Sequence, residues 1–298
     1  MKGWVDFQAA YTDLTPHRHG RFAQVYKGHR ASDKQAVAVK VCTLHAPRPH
    51  NALREVDILR RVTSRNIISL DDTFRTSEDM ISVMPFCGLT LEDVLPSLSL
   101  HTNDIVVLCR QITGALGHIH ALGILHRDVK PSNILIRADS RAFLADFGIA
   151  WSPTCNSDEP ADHKILDVGT MPYRAPELLF GCQSYGCGID LWAWGCTVAR
   201  FFTAQNECLF TDQGSESELA LISSIFRTLG SPTPETWPEA KTLPDFDKVV
   251  FKKQDGLPRT QILVNASETA SDFVWELIKY SAPQRCRALL LLKHPYLI

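Results

Sequence analysis

The chain has 298 residues, of which 45% are hydrophobic and 21% are charged, proportions that are ordinary for a globular protein. Thirty-one Lys and Arg residues against 33 Asp and Glu residues give a formal net charge of −2, so the chain has no broad positive field and we expect neither nucleic acid nor a membrane as a partner. The length allows one large domain or two closely joined lobes with a substantial buried core.

The nine cysteines form no C-x-x-C pair, and several lie inside apolar segments, as Cys109 and Cys196 do. A thiol in such a segment behaves as a small hydrophobic side chain, so we expect the cysteines to be reduced and structural. Residues 1–13 lack the apolar core of a signal peptide, and no apolar run is long enough to span a bilayer. These features predict a cytoplasmic or nuclear protein.

The first part of the chain is predicted to form short strands and one helix. Residues 22–28 alternate between apolar and polar side chains, and residues 35–41 form a β-branched run, so both are expected to be strands. Residues 66–70 and 79–84 predict the next two strands. Residues 51–62 favour a helix because apolar side chains recur on one face. The residues of that face are Ala52, Val56, Leu59 and Val62.

Helices are predicted to dominate the rest of the chain. Asn103 or Asp104 can cap a helix that ends at Gly123. Its apolar face consists of Ile105, Leu108, Cys109, Ile112, Leu116 and Ile119. A second apolar helix begins at Asp190, and the Pro-rich region that extends to about residue 261 is expected to be irregular. The closing helices are predicted over residues 271–280 and 288–294.

Two short motifs between these helices suggest a reaction. Residues 126–133 read His-Arg-Asp-Val-Lys-Pro-Ser-Asn, and residues 146–148 read Asp-Phe-Gly. Phosphoryl transfer requires a protein mainly to hold metal ions, to screen charge on the phosphate oxygens and to orient the attacking hydroxyl. The chain offers a group for each task, since Asp128 can accept the proton of the hydroxyl and Lys130 can neutralise the transferred group. The hard oxygen ligands that suit Mg²⁺ are those of Asn133 and Asp146.

Together these motifs resemble the eukaryotic protein kinases, whose signature contains H-R-D-x-K-x-x-N followed by D-F-G. A three-residue motif such as Asp-Phe-Gly recurs by accident, and the alternative is that these are ordinary loop residues of an unrelated α/β protein, but several motifs stand here in the order and at the intervals of kinases. The resemblance implies an α+β, two-lobed protein kinase fold, with a small β-rich N-lobe that carries one main helix and a larger, mostly helical C-lobe. We expect a single kinase domain over residues 1–298, with the N-lobe at about 1–84, the hinge at 85–88 and the C-lobe at 89–298. The implied cofactors are ATP and Mg²⁺.

The resemblance also assigns residues that bind ATP. Lys40 ends a Val-Ala-Val-Lys run like that of the strand with the ATP-binding lysine. A lone lysine at a strand end usually points into water, but the helix glutamate that pairs with such a lysine has a match in Glu55. Met84 takes the gatekeeper position, and adenine is expected to bond to the backbone of the hinge. The remaining residues implied to bind ATP are Gly20, Val25, Ala38, Pro85 and Cys87.

The glycine-rich hairpin of kinases is degraded in this chain. Its pattern, G-x-G-x-x-G-x-V, places the three glycines at Arg18, Gly20 and Ala23, so only the middle position is glycine. Side chains at the other two positions restrict the backbone that approaches phosphate. We therefore expect a stiffer loop with weaker ATP affinity, and Arg18 adds a positive charge near the nucleotide. The alternative function is that of a pseudokinase or scaffold with weakened ATP binding.

Other segments narrow the resemblance to the cyclin-dependent kinases of the CMGC group. Residues 49–55 share Pro, Ala, Arg and Glu with the P-S-T-A-I-R-E helix on which cyclins dock, and the three differences leave open whether a cyclin-like partner is needed. Residues 173–177 read Tyr-Arg-Ala-Pro-Glu, as in that group. Lys130 implies a serine or threonine acceptor in a protein substrate, and Thr170 matches the threonine that contacts the catalytic aspartate and lysine.

Departures near residue 170 bear on the substrate. Gly169 and Pro172 differ from the cyclin-dependent kinase pattern, so the usual preference for proline after the phosphoacceptor is not assumed. Kinases that activate cyclin-dependent kinases, and thereby act in the cell cycle, are one group able to use sites without that proline. The degraded glycine loop and the absence of the loop threonine fit a fungal-type monomeric kinase of this kind. Supporting roles follow from the family: His126 packs near Phe147, and Asp190 steadies the catalytic loop. Arg285 is placed to pair with Glu177.

The activation segment, residues 146–177, departs from the family as well. Arg127 normally holds a phosphate on this segment through charge-assisted hydrogen bonds. Alignment places Ile165 where cyclin-dependent kinases carry the phosphorylated threonine. The nearest hydroxyls that offer a phosphorylation site are those of Thr154 and Ser157. Alternatively an acidic side chain replaces the phosphate and makes activity constitutive, and the candidates are Asp158, Glu159 and Asp162.

Overall fold

The computed structural model describes residues 3–97, 102–155, 159–211 and 217–298. Its first lobe is built on a five-stranded antiparallel sheet in the order β1-β2-β3-β5-β4. The elements of this lobe are α1 (Trp4–Ala10), β1 (Tyr11–His19), β2 (Ala23–Arg30), β3 (Ala36–Thr43), α2 (Ala52–Arg61), β4 (Asp72–Arg75) and β5 (Asp79–Pro85). β-Branched side chains such as Val37 and Val39 fill the sheet's inner face with no exposure, as expected for a half-buried strand.

Two features of this lobe differ from the expectation. Residues 66–70 were expected to be a strand, which is wrong, because this apolar run pairs with the other lobe: Leu144 donates to the carbonyl of Asn66 and accepts from the amide of Ile68, at 2.9 and 3.0 Å. The strand lies further on, at β4. Helix α1 was not predicted at all, although Phe7 and Tyr11 pack around Phe74 to form a separate small core.

Helix α2 forms close to its predicted position. The Asn51 side chain accepts a 2.9 Å hydrogen bond from the Arg54 amide and caps the first turn, which satisfies a donor that the helix leaves unpaired. The face that was expected to be apolar packs inward through Val56 and Leu59. This packing turns Glu55, one position earlier, toward the sheet.

The second lobe is helical, with a small three-stranded sheet beside the cleft in the order β6-β7-β8. Its strands are β6 (Leu89–Thr90), β7 (Ile134–Ile136) and β8 (Ala142–Leu144). Its helices are α3 (Leu91–Val94), α4 (Thr102–Ala121), α5 (Pro176–Leu179), α6 (Gly188–Ala199), α7 (Glu218–Leu229), α8 (Arg259–Ile262), α9 (Glu268–Leu277) and α10 (Ala288–Leu291). The two-lobed α+β architecture is therefore confirmed.

Boundaries in this lobe were predicted less well than the elements themselves. Asn103 and Asp104 lie inside α4, so the prediction that one of them caps it is wrong. The predicted end is correct, since Gly123 follows the helix with a left-handed φ of 72°, which glycine adopts without strain. Helix α9 begins three residues before its predicted start, because the Ser267 hydroxyl caps the amide of Ala270 at 3.2 Å.

Burial of the thiols agrees with a structural role. All nine cysteines are free, and Cys109 and Cys196 are buried inside α4 and α6. Burial raises the pKa of both thiols well above the usual range, which makes them poor nucleophiles. In the described part of the chain, no helix combines the length and the apolar character that crossing a bilayer requires.

A buried ion pair closes the second lobe. Arg285 binds Glu177 through two bonds, Nη1 to Oε1 at 2.6 Å and Nη2 to Oε2 at 2.8 Å. The side chains are 0% and 6% exposed, and the guanidinium also donates to the carbonyls of Gly188 and Tyr280. The predicted pairing is confirmed, and it ties the end of the activation segment to the C-terminal helices.

We expect Arg285→Ala to lower the free energy of unfolding by about 3–5 kcal/mol, because Glu177 would keep a buried charge without its partner. Urea denaturation followed by tryptophan fluorescence measures the change. Lys248→Ala is the control, since it removes one side of an exposed ion pair with Asp245 and should change stability little. Equal effects of the two substitutions would contradict the assignment.

Candidate active site

A cleft of about 420 Å³ lies between the two lobes. Its roof comes from the hairpin β1-β2 and from β3, its back from the end of β5, and its floor from Leu135 of β7 and from Ala145, which follows β8. Every residue predicted to bind ATP lines it: Gly20, Val25, Ala38, Lys40, Glu55, Met84, Pro85 and Cys87. Pro85 is still paired in β5, opposite Val37.

The Lys40 side chain joins three elements at the back of the cleft. Its Nζ lies 2.7 and 2.9 Å from the two carboxylate oxygens of Glu55 on α2, and 2.8 Å from Oδ1 of Asp146. Burial alone would lower the pKa of Lys40, but Asp146 and Glu55 outweigh this effect and hold the pKa well above the usual range. The lysine is therefore charged, and it is aimed into the cleft rather than into water.

Helix α2 is also fixed to the Asp-Phe-Gly motif by backbone bonds. The amide of Phe147 donates to Oε1 of Glu55 at 3.2 Å, and the amide of Asn51 donates to the carbonyl of Gly148 at 2.9 Å. Asp146 has a left-handed φ of 66°, a costly conformation for a residue with a Cβ. Lys40 holds the pKa of this carboxyl well below its usual range, so an ionised carboxylate faces the cleft.

The catalytic-loop residues converge on Asp128. Its Oδ1 accepts a 2.8 Å hydrogen bond from the Thr170 hydroxyl, which in turn accepts one of 2.6 Å from Lys130 Nζ. Its Oδ2 lies 2.8 Å from the same Nζ and accepts from the Asn133 amide nitrogen at 3.0 Å. The contacts expected of Thr170 are present, and the aspartate is held in one orientation.

The geometry suits a metal ion that is shared with phosphate. Because the amide nitrogen of Asn133 is bonded to Asp128, its carbonyl oxygen is the atom available as a ligand, beside the ionised Asp146. Among the described residues, no group of three or more His, Cys, Asp or Glu side chains can hold a metal ion. Mg²⁺ typically binds through one or two protein oxygens and completes its shell with phosphate and water, which fits this pair.

Buried groups below the catalytic loop fix its backbone. The carboxylate of Asp190 accepts from the amides of His126 and Arg127, both at 2.8 Å. The His126 ring is fully buried, and its centroid lies 4.7 Å from that of Phe147. The supporting roles expected for His126 and Asp190 are therefore seen, and they hold the loop while Arg127 adopts a left-handed φ of 69°.

Comparison with known proteins agrees with this geometry. A family model described as the protein kinase domain matches residues 18–297. This chain belongs to the protein kinase family. The kinase is 37% identical over 288 residues to the serine/threonine-protein kinase csk1 of Schizosaccharomyces pombe, covering 94% of this chain and 92% of that protein.

Two further relatives place the kinase near the cyclin-dependent kinases. It is 34% identical to cyclin-dependent kinase 7 of Xenopus laevis, covering 93% of this chain and 78% of that protein. It is 30% identical to cyclin-dependent kinase 20 of Danio rerio, covering 96% and 83%. The protein is thus a cyclin-dependent-kinase-like serine/threonine kinase, and the family uses ATP and a divalent metal ion.

The mouth of the cleft contains a contact that the sequence did not reveal. Arg18 of β1 forms an ion pair with Asp93 of α3, so the first lobe is bridged to the second. The same Asp93 oxygen accepts from the amide and the hydroxyl of Thr90, both at 2.7 Å. Arg18 therefore does line the cleft, as expected, but its charge is directed to a carboxylate that α3 already fixes.

The turn of the degraded loop shows why its middle glycine is kept. The Gly20 amide donates to the carbonyl of Ala23 at 2.8 Å, and a Cβ at residue 20 would lie only 3.3 Å from that oxygen. The other two positions have room for their side chains. The hairpin is consequently closed by one tight turn and by the bridge to Asp93.

We expect Arg18→Ala to raise the KM for ATP about two- to fivefold, since an ion pair with 43% and 34% exposed side chains is worth at most about 1 kcal/mol. In an Asp93→Asn background the same substitution should add nothing, because the bridge is already broken. Initial-rate kinetics of the four proteins measure this, with Arg21→Ala as a control in the same loop. If Arg18→Ala raised the KM for ATP by the same factor in the Asp93→Asn background, Arg18 would act through a contact with phosphate and not through the bridge.

Proposed function

We propose that this kinase binds ATP with Mg²⁺ in the cleft and transfers the γ-phosphoryl group to a serine or threonine of another cyclin-dependent kinase. The observation that carries the reaction is the convergence of six side chains from both lobes: five of them line one cleft, and Asp128 is bonded to two of the five, Lys130 and Asn133. The six are Lys40, Glu55, Asp128, Lys130, Asn133 and Asp146.

Each side chain has a role that its contacts support. Lys40, oriented by Glu55, screens charge on the phosphates of ATP. Asp128 accepts the hydroxyl proton of the substrate, while Lys130 neutralises the transferred group. Thr170 acts through Asp128 and is a positioning residue. Asn133 and Asp146 would hold a Mg²⁺ ion, which would supply positive charge to neutralise the phosphates.

We expect Asp128→Asn to lower kcat by about 10²- to 10⁴-fold, because the substrate hydroxyl loses its proton acceptor. Radiolabelled phosphate transfer to a protein substrate measures the change, and the KM for ATP should stay nearly constant. The matched control is Asp139→Asn, which changes an exposed aspartate paired with Arg137 and Arg141. Equal labelling by wild type and Asp128→Asn would point to a contaminating kinase and favour the scaffold alternative.

The proposal that the substrate is another cyclin-dependent kinase is supported by the backbone around Gly169, the residue before Thr170. Gly169 has a left-handed φ of 80°, and a Cβ there would lie 3.1 Å from the Arg127 carbonyl. Arg174 turns its guanidinium to the Leu166 carbonyl and to Glu218, at 2.8 and 2.9 Å. We propose that the residue after the phosphoacceptor lies against this glycine backbone and that proline is not required there.

A cyclin-dependent kinase inactivated at its own catalytic aspartate tests the substrate. We expect labelling at one site, which disappears when the threonine of its activation segment is changed to alanine. Two peptides that differ only in having proline or alanine after the phosphoacceptor should both be phosphorylated, and we expect their kcat/KM values to agree within about threefold. Labelling that survives the threonine substitution, or a strong preference for proline, would refute this choice of substrate.

We also propose that the kinase acts without a cyclin-like partner and in the cytoplasm or nucleus. Contacts within the chain already hold α2 against the cleft through Glu55 and Asn51, and Arg61 at the helix end donates to the Thr154 hydroxyl at 2.6 Å. The cytoplasm and the nucleus supply ATP and the reducing conditions that suit free thiols, which supports the proposed location. Co-purification from cells tests the first point: a stoichiometric cyclin needed for activity would overturn it.

A further inference from the structure

The activation segment is joined to the catalytic loop by one buried ion pair. Arg127, the residue before Asp128, binds Glu159 with both terminal nitrogens; Nη1 contacts Oε1 closely and Nη2 lies 3.2 Å from Oε2. Their side chains are 0% and 4% exposed. Of the two acidic candidates that the structure describes, Asp162 is exposed and Glu159 is buried against Arg127. Asp158 lies outside the described residues.

The arginine is bound to more than the glutamate. Its Nε donates to the carbonyl of Ile149 at 2.6 Å, and its backbone amide donates to Asp190. One guanidinium thus connects the catalytic loop to two parts of the activation segment, at Ile149 and at Glu159. Since a buried arginine without a carboxylate leaves an uncompensated charge, the position of this loop depends on an anion at residue 159.

Glu159 also organises the stretch before Thr170. Its Oε1 accepts the amide of Ile165 at 2.9 Å, and the Tyr185 hydroxyl donates to the Ile165 carbonyl at 2.7 Å while it accepts from Arg127 Nη1 at 3.1 Å. These bonds form a closed ring. Ile165 occupies the aligned position of the phosphorylated threonine, so the carboxylate binds the backbone at the place where relatives present a hydroxyl.

The surroundings are built around this carboxylate. The Glu159 carbonyl accepts from Trp151 Nε1 at 2.9 Å. The amino group of Lys164 lies over the Trp151 and Tyr185 rings, 4.9 and 5.1 Å from their centroids, and donates to the Ala161 carbonyl. Two cations near the segment are therefore already occupied, Arg127 by a carboxylate and Lys164 by aromatic rings and a carbonyl.

We propose that Glu159 performs the task of a phosphate on the activation segment. It is a positioning residue that acts through Arg127 on Asp128, and the kinase is active without phosphorylation of its activation segment. The inference rests on the kinase activity but not on the identity of the substrate. A generic protein substrate therefore serves for its test.

The first experiment uses wild-type protein made in bacteria and treated with a phosphatase that is then removed. Mass spectrometry of the intact chain should show no phosphate, and kcat should stay within about twofold of the untreated protein. Loss of more than tenfold on treatment would overturn the proposal while leaving the kinase function intact. Absence of labelling before and after treatment would overturn the function itself.

The second experiment removes only the charge. We expect Glu159→Gln to lower kcat about 10- to 100-fold, because the catalytic aspartate is misplaced when its neighbour loses its anchor. The Kd for ATP should be unchanged, since Lys40 and Glu55 do not contact residue 159. Asp162→Asn, an exposed substitution in the same segment, is the control. Unchanged kcat in Glu159→Gln would overturn the proposal.

A third variant separates positioning from simple loss of folding. Glu159→Asp keeps the charge with a shorter reach, so it should retain clearly more activity than Glu159→Gln at equal thermal midpoints. Ser157, which lies outside the described residues, offers a phosphorylation site, and Ser157→Ala should leave kcat unchanged. Thr154 is kept because its hydroxyl accepts from Arg61 of α2. Loss of activity in Ser157→Ala at an unchanged thermal midpoint would show that a phosphate is required and would contradict the role of Glu159.

Discussion

The bond on which the rest of the active site depends is the one between Lys40 and two carboxylates. Glu55 and Asp146 both lie within 3 Å of the same buried amino group, although Asp146 is 106 residues away in the chain. Removal of either carboxylate would leave charge buried without its full compensation. The position of α2, the register of β3 and the left-handed backbone of Asp146 are therefore linked, and the site is assembled only when all three are correct.

Buried carboxylates also hold the loops of the second lobe in place. The carboxylate of Asp190 supplies acceptors to two catalytic-loop amides, and the pair of Glu177 with Arg285 holds the far end of the activation segment. Buried charges of this kind contribute little net stability. They fix one arrangement of the loop, and that arrangement is what orients Asp128.

The sequence predicted which residues line the cleft better than it predicted the strands and the contacts between the lobes. Residues such as Lys40, Asp128 and Asp146 were found because motifs fix their spacing, and β3 because its branched run is short and periodic. The run at residues 66–70 was mistaken for a strand because its apolar side chains are buried against β8, and periodicity does not tell which lobe buries a segment. Partners such as Arg18 and Asp93, 75 residues apart, are joined only by the fold.

Two departures from the family pattern follow one physical logic. In the hairpin, two of the three glycines are replaced by Arg18 and Ala23, and Arg18 forms an ion pair with Asp93 of the second lobe. In the activation segment, Glu159 contacts Arg127 where relatives add a phosphate. The first pair is partly exposed and is weakened by salt, whereas the second is buried and is screened little. Ion pairs encoded in the sequence thus replace one flexible element and one modified residue.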